Sequence, residues 1–342
     1  MVPVIDIFRQ VFESKKYTEQ SPSPIFPSPD PTTLFTSATI SVWKNRVLAG
    51  NPEKAFVIQP CLRTQNLGRA LDNNFDPEYL SSFVMLGTIC PVKEFTIDCT
   101  LRFFNSFPGL AEKILIRSSG AIKNDLFERP GEHCRVEYDT REPGYYHWEY
   151  GDDSLTGIGV TFAIEQSDGV FLDIGNLVLM SRNRTPIAVE FGFGWETFTS
   201  RLSGRGSPYA ASQEYLRLGF GLLPAEKCLG DCLIVALKLF ECGVIPGTGK
   251  AASVMRKALR NACFLALRNY GDSAIWKIHS LAQALSTNSS WLELIKKTGS
   301  VVHDSVEAFC HEVAHMKRHV SGFRLEKKIE GYRERYGIPE QF

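Results

Sequence analysis

Two residues able to handle a charged, aromatic ligand bracket the stretch from Phe56 to Gly87. Arg63 follows the apolar run Phe56-Val57-Ile58 with Leu62, and Phe83 opens a second run, Phe83-Val84-Met85-Leu86, closed by Gly87. An arginine beside a run that should be mostly buried needs an anionic partner, either a carboxylate of the protein or a bound phosphate or carboxylate. Phe83 offers a flat ring on which a base can stack. On paired strands the two would make half an ATP site; an ordinary hairpin with a surface salt bridge is the other reading of the same residues. A second concentration, Tyr145-Tyr146-His147-Trp148-Glu149-Tyr150-Gly151-Asp152-Asp153, mixes aromatics with carboxylates. It suits the lining of a pocket for a small amine-bearing ligand, or an aromatic strand that ends in an acidic turn.

Two further motifs are set aside. His311-Glu312-Val313-Ala314-His315 is a literal HExxH, which on a helix can place two imidazoles on one zinc. His319 lies one turn further, and three histidines at i, i+4 and i+8 of a straight helix cannot converge on one ion. Glu330 and Glu334 are the nearby candidates for a third ligand. We read the motif as the polar face of a long helix and assign no metal. Pro246-Gly247-Thr248-Gly249-Lys250 misses the phosphate-loop pattern, with Val244 in place of the first glycine and Ala251 in place of the Ser/Thr. It reads as a turn between helices.

The elements that must position these residues follow from composition and period. A chain of 342 residues, 44% hydrophobic and 22% charged, has the makings of two soluble globular domains. Its 38 basic and 38 acidic side chains balance, so tight binding to DNA or to many phosphates is disfavoured. Nine cysteines without a CxxC pair fit a reduced compartment. The N-terminal MVPVIDIFRQ is unlike a signal peptide, and the apolar stretch Cys232–Phe240 is too short for a membrane span, so the expected location is the cytoplasm with no membrane partner. Val4–Glu13 reads as a helix, and the prolines at 22, 24, 27, 29 and 31 as an extended segment. The pair of runs around Arg63 and Phe83 reads as antiparallel strands joined by a long excursion. Val92–Phe107 reads as a helix. Ile114–Arg117, Cys134–Tyr138, Gly157–Ile164, Gly169–Met180 and Ile187–Phe193 read as strands. After about Arg205 amphipathic helices take over: Leu229–Cys242, Lys250–Leu267, Ala274–Leu285, Trp291–Thr298 and Val301–Val320. The fold class is therefore α+β with a largely antiparallel sheet over residues 1–205, followed by an all-α domain over 206–342.

These segments, taken in order, resemble the alanyl-tRNA synthetase family of class II aminoacyl-tRNA synthetases. Pro27-Ser28-Pro29-Asp30-Pro31-Thr32-Thr33-Leu34-Phe35-Thr36-Ser37-Ala38, with Trp43-Lys44, resembles the family's first motif region. Gln59-Pro60-Cys61-Leu62-Arg63 with Phe83-Val84-Met85-Leu86-Gly87 is similar to the second. Val189-Glu190-Phe191-Gly192-Phe193-Gly194-Trp195-Glu196 is similar to the third. Asp173-Ile174-Gly175-Asn176-Leu177-Val178 and Trp148-Glu149-Tyr150-Gly151-Asp152 resemble the stretches around the amino-acid pocket. Asp231 to Pro246 with Gly249 to Arg260 resembles the start of the tRNA-recognition domain, and Gly322-Phe323-Arg324-Leu325 with Tyr336-Gly337-Ile338-Pro339 its end. The resemblance implies a shortened two-domain form without the editing and C-terminal oligomerisation domains. It implies ATP and Mg2+ as cofactors, with Arg63 on the α-phosphate and Phe83, Met85, Gly192 and Gly194 around the nucleotide. Trp148, Asn176, Glu190 and Asp152 would hold the amino acid, and Arg256, Lys257 and Arg260 would meet RNA.

Three departures shape the expected function. Thr197 stands where the family has an arginine on the γ-phosphate, and Arg201, one turn later, is the expected replacement as a catalytic residue beside Arg63. Glu190 replaces the aspartate for the substrate's amino group, and with Gly175 in place of a tryptophan the pocket would accept an amino acid other than alanine. The basic row of the helical domain, Arg256, Lys257, Arg260 and Arg268, is thinned. The expected enzyme is an ATP-dependent ligase of specialised metabolism. It would activate alanine or another small amino acid as an aminoacyl-adenylate and pass it to tRNA, a carrier protein or a small amine. The alternatives are a non-catalytic paralogue that binds amino acid or tRNA, and a transferase that uses aminoacyl-tRNA.

Overall fold

The structure, a computed structural model, describes residues 3–119, 135–151, 154–319 and 323–340. These fall into two compact units, Met1–Arg63 with Ser82–Ser212, and Thr64–Ser81 with Gln213–Phe342. The excursion between the two motif strands thus folds with the helical unit.

Among the described residues the first unit is built on nine strands: β1 (Thr18–Gln20), β2 (Ala55–Leu62), β3 (Ser82–Pro91), β4 (Ile114–Ser119), β5 (Arg135–Asp139), β6 (His147–Glu149), β7 (Leu155–Glu165), β8 (Phe171–Arg182) and β9 (Thr185–Gly194). Their order is β1-β2-β3-β9-β8-β7-β4-β5, with β6 also paired to β7. Only the outer pairs β1/β2 and β4/β5 are parallel, so the centre is antiparallel, as the sequence leads one to expect. Helices α1 (Val4–Ser14), α2 (Ile40–Leu48), α4 (Ile97–Asn105) and α5 (Trp195–Leu202) flank it.

Side chains paired across strands share a face, and the two faces differ in character. One buries Phe56, Phe162, Phe191 and Phe193 against Phe8 and Phe12 of α1 and Phe103 and Phe104 of α4. Ring centroids there lie close, 5.1 Å for Phe103–Phe193 and 5.0 Å for Phe193–Phe198, distances at which aromatic pairs add to the gain from burial alone. The opposite face carries a smaller core, Val57, Ile89, Val178 and Met180 under Trp43 and Val47 of α2. The candidate site lies on this second face.

The second unit holds α3 (Gln65–Arg69), α6 (Gln213–Arg217), α7 (Pro224–Glu241), α8 (Lys250–Tyr270), α9 (Ala274–Leu285), α10 (Ser289–Lys317) and α11 (Phe323–Tyr336). Trp291 and Ile295 of α10 are buried with Met255 and Leu259 of α8. None of the helices is long and apolar enough, among the described residues, to cross a membrane.

Four local expectations are corrected. The last two helices predicted from the period are one, α10, because Gly299 is buried facing Ile278 of α9 rather than breaking the chain. Val92–Phe107 divides into a 3-10 turn and α4, which starts only after the extended Thr96. The aromatic run at 145 begins in a 3-10 turn, Pro143–Tyr146, and only His147–Glu149 is strand. Arg63 stands one residue beyond β2 and is exposed, outside the buried run it follows.

Inside the helical unit the buried carboxylate of Asp231 on α7 gathers the excursion. It accepts from the Ser81 N–H (3.0 Å), the Ser81 hydroxyl (2.6 Å) and Asn66 Nδ2 (2.7 Å). Asn261 Nδ2 donates to the Leu67 carbonyl at 2.9 Å, and Lys227 pairs with Asp76. Replacing Asp231 by alanine leaves several buried donors unmet and should destabilise the protein by about 3 kcal/mol, read as a lowered urea midpoint. Asp231→Asn, which keeps one acceptor, should cost less.

Candidate active site

The floor of the site is a row of residues at one register across four strands. Gly87 of β3 pairs with Gly192 of β9, Gly192 with Asn176 of β8, and Asn176 with Thr161 of β7. The absence of side chains at the first two positions has a definite use. A Cβ on Gly87 would lie 2.4 Å from Thr39 Oγ1, so the start of α2 approaches the sheet only because residue 87 is glycine. At Gly192 the same space is covered by the Met85 methyl, 2.8 Å from where a Cβ would stand.

Over this floor lies Glu190, 7% exposed. Its carboxylate accepts from the Thr39 hydroxyl at 2.9 Å and from the Ile40 N–H, at the first turn of α2. Burial is the dominant influence on the carboxyl and pushes its pKa up to about 7, against the hydrogen bonds from Thr39 and Ile40 and the charge of Arg63. Near neutral pH Glu190 is therefore still partly protonated.

The adjoining corner gathers the residues named from the second and third motifs. Phe83 and Met85 are half-buried on β3, with Cys61 and Gln59 opposite on β2 and Gly194 opposite Met85 on β9. Arg63 donates from Nε to the Ser37 carbonyl at 3.0 Å, and its guanidinium lies 5.0 Å from the Phe83 ring centroid. Cation and ring are thus brought together, one upon the other. Thr197 on α5 sits beside Gly194, whose Cβ would meet its hydroxyl at 3.2 Å and the Phe83 ring at 3.6 Å. Arg201, one turn on, is 2% exposed within the protein. Glu196 is buried and accepts the Val84 N–H at 3.0 Å, fixing α5 to β3. The carboxylates nearest this corner, Glu190 and Glu196, each accept hydrogen bonds within the protein, Glu190 from Thr39 and Ile40 and Glu196 from Val84.

Beyond the floor, Asn176 accepts from the Thr161 hydroxyl at 2.8 Å, which leaves its amide as a donor. Trp148 on β6 is half-buried opposite Gly157 and packs on the smaller core. Asp152 lies outside the described residues. Gly175 does not widen this face: it pairs with Phe162 and Phe193, and a Cβ there would meet the Gly192 carbonyl at 2.5 Å and Phe193 Cβ at 2.6 Å. In the helical unit Arg256, Lys257 and Arg260 are exposed on α8, with Arg260 bound to the Gly337 carbonyl at 2.7 Å. Arg268, from the same row, holds the excursion through the Leu71 carbonyl and Asn73. His311 and His315 are exposed on α10, as expected of a polar face.

Residues the sequence reasoning passed over complete the site. Lys44 of α2 is 2% exposed, and its ammonium reaches Asp30 at 3.0 Å, Thr32 Oγ1 at 2.7 Å and the Tyr150 carbonyl. It joins the proline-rich segment, α2 and the end of the aromatic run. Burial works to raise the Asp30 carboxyl, but hydrogen bonds from Thr32 and Lys44 bring it below its ordinary value. Tyr150 stands over Gly157, its hydroxyl shielded and without a hydrogen-bond partner among the described residues. Both Lys44 and Asp30 lie in the motif segment quoted above; the signal available was a lysine four residues past an apolar helix start.

With the geometry in place, the chain is seen to be related to aminoacyl-tRNA synthetase ligases. It is 27% identical over 315 residues to the alanine–tRNA ligase of Chlamydia caviae, covering 77% of this chain and 35% of that protein. It is 23% identical over 341 residues to that of Wolbachia pipientis wMel, covering 84% and 37%. With the Francisella tularensis subsp. tularensis enzyme it shares 24% over 307 residues, 75% and 34%. The chain is thus similar to alanine–tRNA ligases, and it spans little more than a third of the length of these curated relatives. No family model matches it. Among solved structures, the Desulfitobacterium hafniense pyrrolysyl tRNA synthetase PylSc aligns with 62% of this chain and 72% of its own at 11% identity, with a TM-score of 0.36, too low to carry an argument.

The raised pKa of Glu190 gives a test. Between the ordinary value of 4.5 and about 7 the folded protein keeps a proton on this carboxyl that the unfolded chain has lost. Its contribution to stability therefore falls as pH rises through that window. Glu190→Gln, neutral at all pH, should be more stable than the parent at pH 8, with the gap closing by pH 4.5, measured by urea unfolding at both values.

Proposed function

We propose that this chain is an ATP-dependent ligase of the class II synthetase type that activates an amino acid as its aminoacyl-adenylate. The observation that carries the reading is the juxtaposition on one sheet face of a stacked cation and ring, Arg63 on Phe83 at 5.0 Å, with the buried acceptor Glu190 over a glycine floor. A carboxylate oxygen of the amino acid attacks the α-phosphorus, the bond to pyrophosphate breaks, and an acyl-phosphate anhydride forms. Arg63 is exposed and can bond both anions at once, which aligns the attack and offsets charge gathering on the phosphoryl oxygens. Phe83 and Met85 border the base. Glu190 takes the substrate's ammonium, and the Asn176 amide donates to the amino acid. Tight association with the nucleotide excludes water from a reactive anhydride. Magnesium bound to the nucleotide's phosphates would offset their charge, beside the Arg63 guanidinium.

The acyl group then passes to an acceptor. The helical unit, with Arg256 and Lys257 exposed on α8, is the part we assign to that acceptor, whether tRNA, a carrier protein or a small amine. A chain with balanced charge and two of its four expected basic side chains bonded within the protein should hold RNA weakly and lose it steeply with salt.

A second reading is favoured by Thr197. With a hydroxyl rather than a guanidinium beside Gly194, the γ-phosphate lacks one cation, and a protein that binds an amino acid without activating it would tolerate this. Amino-acid-dependent exchange of pyrophosphate into ATP separates the two. The ligase reading predicts exchange with at least one amino acid, and a drop of about a hundredfold or more in Arg63→Ala. Arg201→Ala should lower exchange if the buried guanidinium supplies the missing charge; unchanged exchange would remove Arg201 from the mechanism. Silence with every amino acid, together with measurable amino-acid binding, would favour the second reading.

A further inference from the structure

The polar row of the sheet does not end at Thr161. The next strand places Arg117 directly opposite it, so Gly192, Asn176, Thr161 and Arg117 stand at one register on one face, each about 4.8 Å from the next. The Arg117 guanidinium reaches back over the sheet to Asp173 on β8, at 2.8 Å, and to the Phe171 carbonyl at 3.3 Å. Asp173 shares the face of Asn176 because a bulge at this point of the β7/β8 ladder takes up Ile174. Arg141 bonds the other Asp173 oxygen at 2.9 Å, and its guanidinium stacks on Tyr145 at 4.5 Å. The Tyr145 hydroxyl donates to the same oxygen at 3.1 Å. Asp139 in turn accepts from Tyr146 at 2.5 Å and pairs with Arg141 at 3.2 Å.

Two features of this cluster point beyond sheet stability. It is partly exposed: Arg117 and Asp173 are 15% and 16% exposed and Arg141 34%. Its hydrogen-bond capacity is also unbalanced. Asp173 accepts three donors, whereas Arg117 bonds the described residues only through its NH1 group and Arg141 only through NH1 and Nε. Each guanidinium carries five N–H donors in a fixed plane, so donors remain that match a planar oxygen acceptor. Such a site lies next to Asn176, on the side away from Arg63 and Phe83. An amino acid bound by Glu190 and Asn176, with its carboxylate toward Arg63, would direct a side chain of a few bonds toward it.

We propose that Arg117, Arg141, Asp173 and Tyr145 form the specificity subsite of this sheet face, and that the amino acid taken has a side chain ending in a carboxylate or carboxamide. The proposal rests on the amino-acid-activating reading above and narrows its substrate class. Asp173 orients the two guanidiniums, and Tyr145 holds Arg141 by stacking. An alanine side chain would leave the donors of this cluster to water, and a lysine, which carries donors alone, would find the Asp173 and Asp139 carboxylates already paired with the two guanidiniums.

The test pairs pyrophosphate exchange with calorimetric binding on the full chain, using aspartate, glutamate, asparagine, glutamine, alanine, valine and lysine as probes. Preference for one of the first four supports the proposal, and acid against amide within that set tells which acceptor is read. Arg117→Lys keeps the cation but loses the planar fork. It should raise KM for the preferred amino acid by about tenfold or more while KM for ATP stays within about twofold. Tyr145→Phe, which removes only one hydroxyl, should raise it less, and circular dichroism checks that both variants fold. Exchange that favours alanine or valine, unmoved by either variant, overturns the proposal and leaves the ligase reading standing. Calorimetric binding of an acidic or amide amino acid without exchange, lost in Arg117→Lys, supports the subsite and overturns activation. No binding and no exchange with any probe overturns both.

Discussion

The site depends on one buried carboxylate held at the start of a helix. Glu190 is shut away from water between the sheet and α2, where, among the described residues, Thr39 and the Ile40 N–H donate to it. A charge in such a place is unfavourable unless it is paired, which is why the carboxyl retains its proton toward neutral pH and why an ammonium ligand would be welcome there. The arrangement needs α2 close against the sheet. That closeness in turn requires glycine at position 87, since Thr39 occupies the space any side chain would take.

What keeps α2 in place is again electrostatic. The Lys44 ammonium, buried on the same helix, is surrounded by the Asp30 carboxylate, the Thr32 hydroxyl and the Tyr150 carbonyl. A single cation thus ties the proline-rich segment and the aromatic stretch to the helix that caps Glu190. On the far side of the sheet the phenylalanine core of α1 and α4 supplies rigidity, so the polar face is carried on strands rather than on loops. The division of labour between the faces is plain: aromatic packing behind, glycines and hydrogen-bonding side chains in front.

Much of this was legible in the sequence, for identifiable reasons. The strand pair around Arg63 and Phe83 showed itself by β-rich runs, and β7, β8 and β9 by their length and branched side chains. Helices α7, α8 and α9 follow from period and from Gly and Pro at their ends. Gly299 misled, because a glycine at a helix crossing reads like a breaker when its neighbour helix is unknown. Gly175 misled because neighbours along a strand point to opposite faces: with Asn176 on the site, Gly175 faces the phenylalanine core. The Lys44–Asp30 pair and the Arg117–Asp173–Arg141 cluster were illegible as pairs, since each joins segments distant along the chain. Their partners are chosen by register and burial, quantities that a linear reading does not contain.

The most direct test of the account is a crystal structure of the chain bound to an aminoacyl-sulfamoyl adenosine, a stable mimic of the adenylate. The account predicts the adenine against Phe83 and Met85, the sulfamate on Arg63 and the amino group within hydrogen-bonding distance of Glu190. An analogue seated elsewhere, or one whose amino group leaves Glu190 bonded only to Thr39 and Ile40, would contradict it.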